Sequence, residues 1–259
     1  MARMGSVRSN PAYEPIRILR IVLWTIFLLG LAGFLFPILL PEFLGVRQPP
    51  MSWQFPTILI AMAAGAGLQF TWARASGARG ERTALKRVAR LPDTYRVFNN
   101  VLVPSSHGRP REVDCVVVGP NGIFVIEVKA NKGEIEGGTN DAQWRARKVG
   151  RGGTVYYTRF GNPIRQVRGA TAALAEYLRG RGVKTWVQSI VCFTHSRAPL
   201  NYYGAPDVIV TWHDTLSTTI LRWQPKRPPG DQVQAEEAIA DLLSPTWTRR
   251  AQRARGMGW

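Results

Sequence analysis

The sequence predicts a mixed α/β domain with a central sheet, preceded by a transmembrane helical hairpin. Three observations predict it. Two long uncharged apolar stretches fill most of the chain before Gly80. Beyond them, short β-type runs alternate with segments of helical periodicity. Midway, Asn121-Gly122 separates two strongly apolar runs, the pattern of a buried β-hairpin. The 259 residues, 45% of them hydrophobic, supply one sizeable core and an appendage.

Ile21 to Leu40 carries no charge and is dense in Leu, Ile and Phe. About 20 such residues are what a helix needs to cross the hydrocarbon core of a bilayer. A second uncharged run extends from Gln48 to Ala73, interrupted only by Gln54 and Gln69, with its most apolar part over residues 51–73. Its Ala- and Gly-rich centre, Thr57 to Leu68, suits close approach of two helices. Trp24, Trp53 and Trp72 lie near the span ends, where amphipathic rings settle. Arg3, Arg8, Arg17 and Arg20 precede the first span, and Arg74, Arg79, Arg82, Lys86, Arg87 and Arg90 follow the second. The loop between, Pro41 to Arg47, offers Arg47 beside Glu42. Positive residues stay on the cytoplasmic side, so a multi-pass protein of the cell (inner) membrane is expected, with the N-terminus and the C-terminal domain both cytoplasmic. A cleaved signal peptide is the competing view of the first run, but its apolar region is too long and no small-x-small cleavage site follows.

The net charge is +17. Setting aside the seven basic and two acidic residues before Gly80 leaves 27 against 15, or +12. The excess is therefore more than a topology signal, and it favours polyanionic partners, nucleic acid or anionic lipid. Cys115 and Cys192 each lie in an apolar stretch and read as buried reduced thiols rather than a disulfide or metal pair.

After the membrane part (residues 1–79) comes a domain expected over residues 80–222, then a C-terminal helix and basic tail, 223–259. A helix is expected over Gly80–Arg90 and a strand near Tyr95–Val103. The strand pair Val113–Val118 and Ile123–Lys129 is joined by Gly119-Pro120-Asn121-Gly122. Short strands follow around Gly133–Glu136, Trp144–Arg147 and Thr154–Tyr157. Asn162-Pro163 reads as N-cap and first residue of a helix to about Leu178. Strands at Trp186–Phe193 and Val208–Thr211 and helices near Asp214–Leu221 and Gln232–Leu243 complete the domain. The tail Ser244–Trp259, with Arg249, Arg250, Arg253 and Arg255 and no acid, reads as loose.

The hairpin carries the candidate chemistry. If Gly119 opposes Gly122, facing residues have numbers that sum to 241, and Asp114 lies across from Glu127, with Cβ atoms about 4.5–5.5 Å apart. Lys129, two residues on, shares that face. Both strands are otherwise apolar on both faces, so the two carboxylates meet at the end of a buried hairpin and repel unless a proton or cation separates them. A divalent ion held by hard oxygens removes the conflict. The simpler reading is an ion pair at a strand end, and Glu-x-Lys alone is a weak signal. Glu81, Leu85 and Val88 share one helical face, which points Glu81 inward; a first-turn acid favouring the helix dipole is the alternative. Gln166, Ala170 and Tyr177 form a similar stripe, with Gln166 at its inner margin or as a surface amide.

Gly80-Glu81-Arg82, Glu112-Val113-Asp114, Gly119-Pro120-Asn121-Gly122-Ile123-Phe124-Val125-Ile126-Glu127-Val128-Lys129 and Asn162-Pro163-Ile164-Arg165-Gln166 resemble the successive motifs of the NERD (nuclease-related) domain. That family is placed in the PD-(D/E)xK superfamily of restriction-endonuclease-like folds, which implies a mixed sheet flanked by helices. The resemblance covers about Gly80 to Val210. It implies Asp114, Glu127 and the Val128 carbonyl as metal ligands, Lys129 as the catalytic lysine, Glu81 as an auxiliary acid and Gln166 as the helix glutamine. Mg²⁺, or Mn²⁺, is the implied ion. Glu112-Val113 stands where the superfamily's name has a proline before the aspartate, a position at which members vary.

Other signals are weak. His107, His195 and His213 lack metal-ligand spacing, and no Gly-rich phosphate cradle is present; Gly150–Gly153 is a turn. His195 follows a strand end, where it reads as a capping or surface residue near a site. The segment Trp144–Tyr157, with Arg145, Arg147, Lys148 and Arg151, reads either as a phosphate-tracking strip or as solvated hairpin. Three functions follow: a Mg²⁺-dependent nuclease acting on nucleic acid, DNA before RNA; a non-catalytic module that docks nucleic acid or protein at the membrane; or a basic domain that grips anionic lipid.

Overall fold

The computed structural model describes residues 1–6, 13–44, 54–106, 108–195, 199–204, 207–225 and 229–254. Of the residues invoked above, Arg8, Arg47, Trp53, His107 and Arg255 lie outside these. The chain divides into two compact units, Ser9–Ala78 and Met1–Arg8 together with Arg79–Trp259.

The first unit is helical. Helices α1 (Tyr13–Leu44) and α2 (Gln54–Val88) are both long and apolar enough to cross a membrane, α1 through Ile16–Phe36. Leu29, Phe36 and Met62 are largely exposed. A Cβ on Gly30 would lie 2.9 Å from the Thr57 carbonyl oxygen and 3.1 Å from Ala61 Cβ, so only glycine permits this approach of the helices. The helix expected to begin at Gly80 is instead the last part of α2. Gly77 and Gly80 each cost a helix about 1 kcal/mol, but no proline interrupts the segment and the helix continues through both.

The second unit contains β1 (Arg3–Ser6), β2 (Arg96–Ser105), β3 (Gly108–Gly119), β4 (Gly122–Lys129), β5 (Glu134–Gly138), β6 (Gln143–Val149), β7 (Val155–Gly161), α3 (Pro163–Gly180), β8 (Val187–Phe193), β9 (Leu200–Tyr203), β10 (Val208–Trp212), α4 (Leu216–Arg222), α5 (Gln232–Asp241) and α6 (Pro245–Ala254). Six strands form a mixed sheet in the order β1-β2-β3-β4-β8-β10, antiparallel across β2-β3-β4 and parallel elsewhere. A second sheet runs β7-β6-β5-β9.

Both faces of the large sheet are covered, as the two-sided apolar strands require. Val116, Val118, Ile123 and Val125 pack with Ile164, Val167 and Leu174 of α3. Cys115, Val117, Phe124 and Ile126 pack with Ala84 and Val88 of α2 and with Leu216 and Ile220 of α4. Trp144 of the second sheet is buried against Phe193 and Tyr202. Cys115 and Cys192 are free and buried, on β3 and β8 with β4 between them. Two strand spacings, about 9.6 Å, exceed the reach of a disulfide. Burial pushes the Cys115 thiol far up and that of Cys192 to about 12, so both are inert.

Three elements differ from the sequence reading. β1 has too few residues to show alternation, yet it pairs parallel with β2 and buries Ala2. β9 adds a parallel edge to the second sheet. The tail expected to be loose holds α6, because Trp247 packs on the core and its indole N–H donates to the Leu102 carbonyl at 2.7 Å.

Candidate active site

The β3–β4 hairpin is closed at one end and open at the other. At the turn, Gly119 pairs with Gly122, in the register expected from the sequence, and the ladder continues to Cys115–Ile126. A Cβ on Gly119 would fall 2.2 Å from the Tyr95 ring, which explains a glycine there. Gly122 has φ +134°, open to glycine alone. The Tyr95 hydroxyl donates to Asn121 Oδ1 at 3.0 Å, and Asn121 Nδ2 donates to the carbonyls of Ile220 (2.7 Å) and Trp223 (3.1 Å). The turn thus binds the residue just before β2 to the end of α4.

At the open end the main-chain pairing stops after Cys115–Ile126, and the Asp114 side chain takes over: Oδ2 accepts from the Val128 amide at 2.8 Å. The cause lies on β2. Asn100 sits between the pairs Asn99–Cys115 and Val101–Val113, directly opposite Asp114, with φ +52°. This left-handed residue breaks the alternation, so Phe98 and Val101 join one core cluster, as do Val113 and Val116 on β3. Asp114 therefore stands at a kink. Asn100 Oδ1 is buried without a hydrogen-bond partner. No sequence pattern pointed to Asn100, although Asn is among the residues that tolerate this conformation best.

Glu127 and Lys129 lie on the outgoing strand, held in place from the far side by β8 through Glu127–Val191 and Lys129–Phe193. Lys129 Nζ donates to Glu127 Oε1 at 2.7 Å, and both side chains are largely covered. Asp114 is held well above the usual carboxylate range, first by burial and then by the Glu127 charge; Glu81 adds to the effect, while the Val128 amide and Lys129 oppose it. The four groups Asp114, Glu127, Lys129 and Glu81 thus share one electrostatic neighbourhood. Glu81 arrives there because α2 lies against the strand ends: a Cβ on Gly80 would be 2.9 Å from both Ala130 Cβ and Thr194 Oγ1.

Gln166 does not join them. It is exposed in the first turn of α3, its amide beside Gly161, with no hydrogen bond to the carboxylates or Lys129. The buried stripe of α3 runs through Ile164, Val167, Ala170 and Leu174, which leaves Gln166 off the inner face. Asn162 is the structural residue of that motif. It caps α3 by accepting from the Ile164 and Arg165 amides and donates to the carbonyls of Gly138, Thr139 and Asp141, anchoring the second sheet. In the basic strip the residues divide between core and surface ion pairs. Trp144 is buried, Arg145 is bound by Glu136 and Arg147 is paired with Glu134.

Among the described residues, no three His, Cys, Asp or Glu side chains gather closely enough to hold a metal by themselves. The donor set at the open end consists instead of two carboxylates and a main-chain carbonyl. One oxygen of each carboxylate is engaged, by the Val128 amide and by Lys129, leaving Oδ1 and Oε2. In an extended strand a residue's C=O points to the same edge as its N–H, so the Val128 carbonyl faces the Asp114 side. Hard oxygens in that number, completed by water, match what Mg²⁺ takes from proteins.

Residues 76–194 match the nuclease-related domain family, NERD. The chain is 35% identical over 119 residues to a probable kinase, PglW, of Streptomyces coelicolor, which covers 44% of this chain and 7% of that protein. It is 33% identical over 69 residues to an uncharacterized protein of Bacillus anthracis, covering 26% and 32%. The chain thus spans a third or less of the length of these curated relatives. No solved structure matches. The mixed sheet flanked by helices is consistent with a nuclease-like fold, and the matched residues bracket the open end of the hairpin from Gly80 to Thr194: residues 76–194 carry the match to the nuclease-related domain family.

Proposed function

We propose that this protein is a membrane-anchored, metal-dependent nuclease whose domain faces the cytoplasm and hydrolyses phosphodiester bonds of nucleic acid, DNA in preference to RNA. The observation that carries the reading is the like-charged pair Asp114 and Glu127, held together in a covered site beside Lys129. Lys129 answers one of the two charges, and the second carboxylate gains nothing in stability from its place unless a further cation joins them. Mg²⁺ or Mn²⁺ bound by Asp114, Glu127 and the Val128 carbonyl would polarise the phosphoryl oxygen and activate water. The chain's own groups do the rest. The Val128 amide fixes the Asp114 carboxylate, and the β8 ladder fixes Glu127. Lys129, next to Glu127 on the same strand, would offer its ammonium to the charge developing on phosphorus. Glu81, whose charge acts on Asp114, would accept a proton from the attacking water or orient it.

The membrane arrangement draws support from β1. This strand precedes α1, β2 follows α2, and the two are paired. A chain that crosses a bilayer in α1 must cross back in α2 for those strands to meet. Arg17 and Arg20 at one end and Arg79, Arg82 and Lys86 at the other then favour the cytoplasmic side.

The ion pair between Glu127 and Lys129 is the observation that favours the second reading, a nuclease-like scaffold that binds without cutting. The deciding experiment uses the full chain in detergent with supercoiled plasmid and Mg²⁺. Cleavage that requires metal and disappears in Glu127→Gln supports the enzyme. Plasmid retention without metal-dependent cleavage establishes the binding module.

A further inference from the structure

We infer that the cations at the carboxyl ends of β4 and β8 form a phosphate track that leads a single nucleic-acid strand away from the carboxylates, with Tyr156 stacking on a base. The inference rests on the nuclease reading for its direction, but its residues lie outside the metal-binding set. Three strand ends meet beside the site. The Thr194 amide donates to the Lys129 carbonyl at 2.9 Å, and the His213 amide donates to that of Phe193 at 2.9 Å. His195 and His213 therefore stand next to the last turn of chain around Lys129. The tight seat of Gly80 on Ala130 and Thr194 brings Arg79 to the same place. On the other side, Gly133, with φ +96°, lets β5 begin so close to β6 that its missing Cβ would meet the Arg147 carbonyl oxygen and, at 3.1 Å, Lys148 Cγ. Lys148 is thereby laid beside the loop of Lys132.

The charges that act on His195 are all of one sign. The imidazole of His195 is held below its ordinary range by burial and then by Lys132, Arg79, His213 and Lys148, all cationic or titratable to a cation. Lys132 and Lys148 form no ion pair among the described residues, whereas Arg145, Arg147, Arg168 and Arg181 each hold an acid. His213 Nδ1 is buried without a hydrogen-bond partner. Lys132 and Lys148, crowded together without acids of their own, repel, and a polyanion relieves the repulsion. A point anion would satisfy one or two of them. A repeating one can reach both lysines, Lys132 in its loop and Lys148 at the end of β6, and continue past the strand ends. Tyr156 adds the base contact: it lies directly across from Lys148, on the same face, and is 48% exposed. A ring beside a phosphate grip is how single strands are held without sequence preference.

The test is binding of a fluorescent oligothymidylate to the full chain in detergent, without divalent metal, across a salt series. Lys132→Ala with Lys148→Ala should weaken binding about tenfold at low salt. It should also reduce the slope of log K against log salt by about 1.4, the loss of two single-strand phosphate contacts at roughly 0.7 each. Replacing both lysines by arginine should restore slope and affinity, which a folding defect would not allow. Tyr156→Ala should weaken binding about tenfold with the slope unchanged. Unaltered affinity and slope in the double alanine variant, with the parent still binding, overturns the track and leaves the nuclease reading standing. A double variant that loses binding to phosphatidylserine vesicles but not to the oligonucleotide overturns it in favour of lipid. Intact binding effects with no cleavage by the parent keep the track and sink the nuclease reading.

Discussion

The two ends of one hairpin obey opposite rules. At the turn the side chains are joined: Tyr95, Asn121 and the carbonyls of Ile220 and Trp223 close a hydrogen-bonded set, and Gly119 makes room for a ring. About 17 Å away along the same strands (five residues at about 3.3 Å each), ladder bonds give way to a kink, a lone buried amide oxygen and two carboxylates that repel. The first end is built to be stable. The second is stable only through what surrounds it, and that surplus of stability elsewhere is what lets a reactive arrangement persist. Substitutions at the two ends should therefore have opposite signatures.

The largest effect belongs to the open end. Lys129→Ala should lower metal-dependent cleavage at least about 100-fold, the scale of one lost charge-stabilising donor. Because Glu127 is then freed from its ion pair, Mg²⁺ binding should persist and be measurable by a metal-induced rise in Tm. Equal loss of cleavage and of metal-induced stabilisation would show that Lys129 serves only to hold Glu127.

At the turn the expected loss is in folding. Asn121→Ala leaves the Ile220 and Trp223 carbonyls and the Tyr95 hydroxyl without their shared partner. The cost should be about 1–3 kcal/mol by denaturant melts, with cleavage per folded molecule unchanged. Gly119→Ala drives a methyl into the Tyr95 ring and should cost about as much. A turn variant that folds normally but loses cleavage would erase the distinction between the ends.

Gly80→Ala tests how the distant carboxylate is placed. Alanine favours helix by about 1 kcal/mol, yet its methyl would press on Ala130 and Thr194. The net change in stability should stay within about 1 kcal/mol, while α2 shifts outward and Glu81 with it. Cleavage should then fall more than stability does, read as kcat against Tm in the same preparation.

The sequence made much of this legible, for definite physical reasons. Asn121-Gly122 fixed the turn, the turn fixed the register to Cys115–Ile126, and register placed Asp114, Glu127 and Lys129 together. Such inference travels only through local, periodic signals. Gln166 was placed by a helical stripe that shares Ala170 and misses Ile164 and Val167, so a rotation of part of a turn put it outside. β1 and the packing of Trp247 depend on contacts between residues far apart in the chain, with no pattern of their own. Asn100 was hidden for the opposite reason: it interrupts a pattern, and an interruption by a single polar residue looks like an edge. The cations at the strand ends come from α2, two loops and β6, and only the fold assembles them.

The smallest expected effect is the sharpest test of the comparison, because its sign is unusual. With its carboxyl held well above the ordinary range by burial and by Glu127, Asp114 binds its proton more tightly in the folded protein than in the unfolded chain. As pH rises through the ordinary carboxylate range, the unfolded form ionises first, so this group subtracts from stability up to the folded-state value. A surface carboxylate in an ion pair does the reverse. Asp114→Asn removes the charge, keeps an acceptor for the Val128 amide and leaves the Glu127–Lys129 pair in place. A tenfold change in proton affinity is worth about 1.4 kcal/mol, so the metal-free variant should gain on the order of 1 kcal/mol at pH 8 and little at pH 4. Glu127→Gln relieves the same repulsion but leaves Lys129 unpaired, and its gain should be smaller or absent. Mg²⁺ should stabilise the parent and neither variant, since each lacks one ligand charge. Urea melts of the three proteins at the two pH values, with and without Mg²⁺, measure all of this. A less stable Asp114→Asn at pH 8 without metal would mean that Lys129 and the Val128 amide already satisfy the carboxylate, and the open end would then be as settled as the turn.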